Sequence, residues 1–179
     1  MEREKLTQTI NDAVESLREE LVALACDIFA IPTQNPPGNN YLECTAAIAK
    51  WMERIGMEVE FVDVPEERLA ELAPHGEGLP RRSVIGYLGD RNARPNIHFT
   101  GHYDVVPEGT GWSTDPYGCE IRDGNIYARG SADQKSGIVS ELIAAWALKK
   151  AGIPLKGTVI ASATPDEESG GQAGVGYLV

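Results

Sequence analysis

Apolar residues recur at helical spacing from about residue 5 to residue 30: Leu6, Ile10, Val14, Leu17, Leu21, Leu24 and Ile28. This spacing predicts one amphipathic helix. Ile31-Pro32 stops it, and Asn35-Pro36-Pro37-Gly38 makes a stiff loop. A second helix is predicted over 42–55, ending at Gly56, a residue suited to a helix C-terminus. The pattern then changes to alternation. MEVEFVDV (57–64), SVIGYLG (83–89) and NIHFTG (96–101) read as strands, the last two separated by the turn-like DRNARP. Residues 65–80 hold three prolines and mixed charge, which predicts a loop with at most one helical turn.

Residues 105–119 are rich in Gly, Pro and Thr and form a long loop, and loops of that length inside a compact domain are usually functional. CEIRDGNIYARG (119–130) predicts a β-hairpin with Asp123-Gly124 at its turn. Residues 134–151 give the clearest helix, with Ile138, Leu142, Ala145 and Trp146 on one stripe and Gly152 and Pro154 closing it. KGTVIASAT (156–164) reads as a buried strand, and GVGYLV as the start of another helix. The order predicts an α/β fold, a three-layer sandwich around a mixed, partly parallel twisted sheet. We find no internal repeat or low-complexity tract.

Composition narrows the function classes. The 179 residues, 42% hydrophobic and 24% charged, suit one globular domain with a proper core. No apolar run is long enough to span a bilayer, and the charged start MEREKLTQTI is unlike a signal peptide. A cytoplasmic location is the default expectation. The net charge of −11 argues against nucleic acid and anionic membrane as partners, since both call for clustered Lys and Arg. Cys26, Cys44 and Cys119 are odd in number and contain no C-x-x-C, so they read as reduced thiols and not as a zinc site.

Three stretches carry chemistry. In GHYDVVP, His102 and Asp104 stand two apart, which places them on one side of extended backbone. A carboxylate there can fix the imidazole tautomer and free the other nitrogen for a metal; a structural His–Asp hydrogen bond is the plainer reading. In ARGSADQKSG, Asp133 precedes the clear helix and would also serve as an N-cap. In ATPDEESGG, a strand runs into Asp166, Glu167 and Glu168. Three adjacent acids repel unless a cation or solvent relieves them, or they form the first turn of a helix whose dipole favours them. Together the stretches gain weight, because α/β sheets bind ligands outside the carboxyl ends of their strands. Imidazole with carboxylates suits zinc, and also manganese or cobalt. A carboxylate bridging two ions about 3.5–4 Å apart marks two-metal hydrolases.

GHYDVVP, ARGSADQKSG and TPDEESGG, in this order and spacing, resemble the co-catalytic metallopeptidase and deacylase family. That family includes acetylornithine deacetylase, succinyl-diaminopimelate desuccinylase, aminoacylase and glutamate carboxypeptidase. The similarity runs from the NPPG loop at 35–38 through Gly171. Gln134 and Ser136 stand where the family commonly has Met and Gly, and neither change removes a ligand. The resemblance implies that His102 binds one metal and Asp104 orients it. Asp133 would bridge both metals, with a cis peptide after it; Glu167 would be the general base and acid; Glu168 would bind the other metal. It implies two divalent ions, zinc ahead of cobalt or manganese. The implied substrate is an N-acyl amino acid or small peptide, cleaved at an amide. A homodimer is implied for the full-length protein.

Two further ligands of the family, an acid after the DEE motif and a histidine near the C-terminus, have no counterpart in these residues. Of the other histidines, His98 reads as a core residue and His75 as exposed on a loop. The chain 1–179 is thus expected to be a truncated catalytic domain without the inserted lid or dimerisation domain, its metal sites incomplete, and inactive by itself. The competing expectation is a shortened, non-catalytic binding or scaffold module. GGQAGVG lacks the Lys-Ser/Thr of a phosphate-binding loop and is not read as one.

Overall fold

The computed structural model describes residues 2–179. Its helices are α1 (Glu2–Glu15), α2 (Arg18–Phe29), α3 (Tyr41–Ile55), α4 (Glu66–Leu72), α5 (Lys135–Lys150) and α6 (Val175–Leu178). Its strands are β1 (Glu58–Asp63), β2 (Arg82–Leu88), β3 (Asn96–His102), β4 (Glu120–Arg122), β5 (Asn125–Tyr127) and β6 (Thr158–Thr164). A 3-10 turn covers Glu167–Ser169.

Four strands form one mixed sheet in the order β1-β2-β6-β3. β3 and β6 run parallel, in a register that pairs His102 with Thr164. β1–β2 and β2–β6 are antiparallel. The parallel pair needs a crossover, and α5 lies on it, between β3 and β6 in sequence. Small residues let the helices approach the sheet. A Cβ on Gly86 would meet Met52 of α3 at 3.0 Å, and one on Gly101 would meet Ile138 of α5 at 2.9 Å. The main core joins Leu24, Ile28, Ile48, Met52, Ile55, Ile138 and Leu142 to Val84, Ala161 and Ala163 of the sheet. A smaller cluster links Val64, Leu69 and Ala73 with Ala173. No helix among the described residues is long and apolar enough to cross a membrane.

Several expectations needed correction. The first helix is two: the chain breaks at Ser16 and Leu17, where the Ser16 hydroxyl donates to the Ala13 carbonyl at 2.7 Å. Such local bonding competes with the helical ladder. The break buries Leu17, while Leu6 and Val14 remain exposed. The 65–80 segment holds a seven-residue helix, α4, rather than one turn. Most consequentially, Cys26 and Cys119 form a disulfide across 93 residues, and Cys44 alone is a buried free thiol. The expected three reduced thiols are therefore wrong, because α2 and the end of the long loop meet in space although they lie far apart along the chain. The hairpin is as expected, with Asp123 and Gly124 both at positive φ, as a two-residue turn of this type requires.

Candidate active site

Parallel pairing brings the ends of β3 and β6 side by side, and both chemical motifs begin there. His102 is the last residue of β3 and is 3% exposed. Its Nδ1 lies 3.0 Å from the Asp104 backbone oxygen and 3.3 Å from Asp104 Oδ1. With that nitrogen occupied, Nε2 faces outward, 3.1 Å from Asp133 Oδ1 and 3.5 Å from Glu167 Oε2. Burial alone would lower the pKa of His102. The hydrogen bond and charge of Asp104, joined by the charge of Glu167, outweigh it and raise the value to about 9.

Asp104 does more than the sequence suggested. It is fully buried, and its Oδ1 accepts the backbone N–H of Glu167 at 3.1 Å. Oδ2 accepts the backbone N–H of Glu168 at 3.1 Å and Nδ2 of Asn35 at 2.9 Å. One carboxylate thus couples the imidazole to the turn that carries both glutamates.

Asp133 is 76% exposed and follows the long loop and hairpin. The N-terminal residue flanking α5 is Gln134, and no side chain caps that helix, so the capping role considered for Asp133 is absent. The Asp133–Gln134 peptide is cis. Glu167 is 58% exposed, and its motif forms a short 3-10 turn instead of an α-helical first turn. Burial raises the Glu168 carboxyl above its ordinary range; the charges of Asp133, Asp104 and Glu167 add to this against the pull of His102. Ligand atoms of His102, Asp133 and Glu168 all lie within 4.8 Å of one another. One imidazole nitrogen and two carboxylate oxygens so placed form a group that can hold a divalent cation.

Some residues at the site escaped notice in the sequence. Asn35 belongs to the NPPG loop, yet it is buried and also donates to the Ser169 hydroxyl at 2.9 Å. Thr33–Asn35 runs beside Tyr103–Val105 through two backbone hydrogen bonds, which puts Asn35 under Asp104. Lys135 is fully buried, and its ammonium donates to the carbonyls of Ile28 and Ile31 at 2.8 and 2.7 Å. It ties the start of α5, next to Asp133, to the end of α2. Burial lowers its pKa. An asparagine beside prolines reads as a turn and a lysine in a helix as solvated, so neither gave a signal. His98 corrects the core expectation: it is exposed, and its Nε2 pairs with the Ser162 hydroxyl at 2.9 Å. His75 is exposed, as expected.

An imidazole oriented by a carboxylate, with acids gathered at its free nitrogen, is a donor set that suits a divalent cation. In comparison with known proteins, residues 98–179, which carry all three motifs, match the family described as peptidase family M20/M25/M40. The chain is 33% identical over 149 residues to a succinyl-diaminopimelate desuccinylase of Rhodospirillum centenum, covering 82% of this chain and 35% of that protein. It is 47% identical over 103 residues to the enzyme of that name from Nautilia profundicola, covering 58% of this chain and 26% of that one. Human carnosine dipeptidase 1 has a similar fold, with TM-score 0.76 and 24% identity over 93% of this chain and 36% of that one. The chain therefore spans about a third of the length of the relatives it matches.

Proposed function

We propose that this chain is the N-terminal part of the catalytic domain of a metal-dependent amide hydrolase acting on N-acyl amino acids or small peptides. The observation that carries the proposal is the outward Nε2 of His102 meeting Asp133, Glu167 and Glu168 at the ends of two parallel strands. The desuccinylase and dipeptidase names of the similar proteins support amide cleavage.

His102, Asp133 and Glu168 would hold metal, with Asp133 shared between two ions, zinc ahead of cobalt or manganese. Bound divalent cations supply the positive charge that polarises a carbonyl and acidifies water. Asp104 holds the His102 Nδ1 proton, so that Nε2 is available as a ligand. Glu167 takes a proton from the attacking water as the water oxygen bonds to the amide carbon. It then gives that proton to the departing nitrogen as the C–N bond breaks. The exposure of Glu167 suits this exchange with substrate and solvent. The remaining ligands and the lid are assigned to the rest of the full-length protein, as is dimerisation, and the chain alone would be inactive.

The experiment is metal content and hydrolysis by the full-length protein and by residues 1–179. N-succinyl and N-acetyl amino acids and dipeptides are offered with zinc, cobalt or manganese. The full-length protein is expected to hold two ions and to turn over at least one substrate class, and the short chain to bind metal weakly and be inert. A full-length protein that binds no metal and cleaves none of them would overturn the reading in favour of a non-catalytic module.

A further inference from the structure

Asp166, Glu167 and Glu168 are adjacent acids, but the structure separates their fates. Asp166 is 2% exposed and sits at φ 63°. Its carboxylate turns into the protein and meets Arg81, with Nε donating to Oδ2 at 2.7 Å. The Tyr41 hydroxyl donates to the other oxygen, Oδ1, at 2.9 Å.

Arg81 is itself buried, 1% exposed. Its remaining donors reach the Leu79 carbonyl at 2.9 Å and the Pro37 carbonyl at 2.7 Å. Its guanidinium lies 5.0 Å from the centre of the Tyr41 ring. The cage around it admits no side chain: a Cβ on Gly38 would fall 2.6 Å from the guanidinium, and one on Gly76 2.3 Å. A planar fork with fixed donor directions fits such a cage, and a single ammonium does not.

The turn beyond Asp166 is held from two directions. The Asp166 carbonyl accepts the N–H groups of Ser169 and Gly171, and Asp104 accepts those of Glu167 and Glu168. The side chain of Asp166 fixes where the turn begins. We infer that Arg81 is a positioning residue: through Asp166 it sets where Glu167 and Glu168 stand relative to His102 and Asp133, and through Pro37 it ties the NPPG loop to them. The inference rests on the roles proposed above for the two glutamates.

The test uses Arg81→Lys in the full-length protein, with Tyr41→Phe as a second variant that removes one hydrogen bond and little volume. The readouts are zinc affinity by chelator competition, kcat and KM separately, and thermal unfolding. Arg81→Lys is expected to weaken zinc binding and lower kcat by about 10–100-fold each, with KM little changed. Tyr41→Phe is expected to move both in the same direction by about threefold. A purely structural arginine would lower the melting temperature and leave zinc affinity and kcat of the folded variants within about twofold of the parent; that result overturns the inference. Should Arg81→Lys fail to fold, Tyr41→Phe decides by the same criterion. Zinc affinity also separates this inference from the proposed reaction. A parent without amidase activity whose zinc binding weakens in the variants refutes the reaction and supports the positioning role. An active parent with unaffected variants does the reverse.

Discussion

The inner and outer sides of the Glu167–Ser169 turn handle negative charge in opposite ways. On the inner side, Asp104 and Asp166 are buried, and the protein supplies their partners: backbone N–H groups and Asn35 for one, Arg81 and Tyr41 for the other. On the outer side, Asp133, Glu167 and Glu168 gather around a single imidazole nitrogen, and among the described residues no Lys or Arg pairs with them. Inside a protein an unpaired charge is expensive, so inner acids must bring their donors with them. Outer acids can wait for a cation from solution. The inner pair anchors the turn, and the outer group is the one to which the proposed function gives the metal and the proton transfer.

The strongest way to break this comparison is Glu167→Ala in the full-length protein. An outer acid that moves protons should matter to rate and little to structure. We expect kcat to fall by about 10³-fold, with zinc affinity and melting temperature near the parent's, by steady-state kinetics and chelator titration. Retained turnover would refute the role given to Glu167.

Asp104→Leu strikes the inner side. It removes the acceptor of two backbone N–H groups and one of the two acceptors of Asn35 Nδ2. A loss of about 3–5 kcal/mol in denaturant unfolding is expected, together with loss of zinc binding. A variant as stable as the parent would show that water replaces the carboxylate and that the inner site is not dry.

Cys119→Ser sharpens the contrast by destabilising the chain away from either group. The disulfide closes a separation of 93 residues, so a cost of about 2–4 kcal/mol is expected. Zinc affinity measured on the folded variant should not change. If it does, the long loop and hairpin communicate strain to Asp133.

Glu141 is an acid with neither remedy: it lies on α5, partly buried, and its Oε1 has no partner. Burial raises its pKa from 4.5 to about 8. Between those values the folded chain keeps a proton that the unfolded chain has lost, so stability falls as pH rises through this window and levels off above it. Glu141→Gln should flatten that decline and add about 1–2 kcal/mol at the alkaline end, read from unfolding curves across pH. An unchanged pH profile would mean that Glu141 reaches solvent.

Much of the fold was legible because its signals are local. The change from helical spacing to alternation located α3, α5 and the sheet strands to within a residue or two, and Asp123-Gly124 located the hairpin. The break between α1 and α2 was not legible, since neither Pro nor Gly marks it. His98 lay on a correctly predicted strand but on an exposed one, because β3 is the last strand in the order and its burial depends on its neighbours. The five candidate residues could be named from their motifs. Asn35, Arg81 and Lys135 could not, since each acts through a partner distant in sequence.

By itself, then, the sequence determined most of the elements, the strand ends where the motifs fall and the set of acids available there, all of which depend on neighbours within a few residues. Only the tertiary structure decided which acid became which. Asp166 and Glu167 are adjacent and chemically alike, yet one is buried against an arginine 85 residues earlier and the other opens to solvent beside His102. The same holds for Cys26 and Cys119, which become a disulfide only when α2 and the end of the long loop meet. Environment sets the charge and reach of a side chain, and environment is assembled from contacts that no local pattern records.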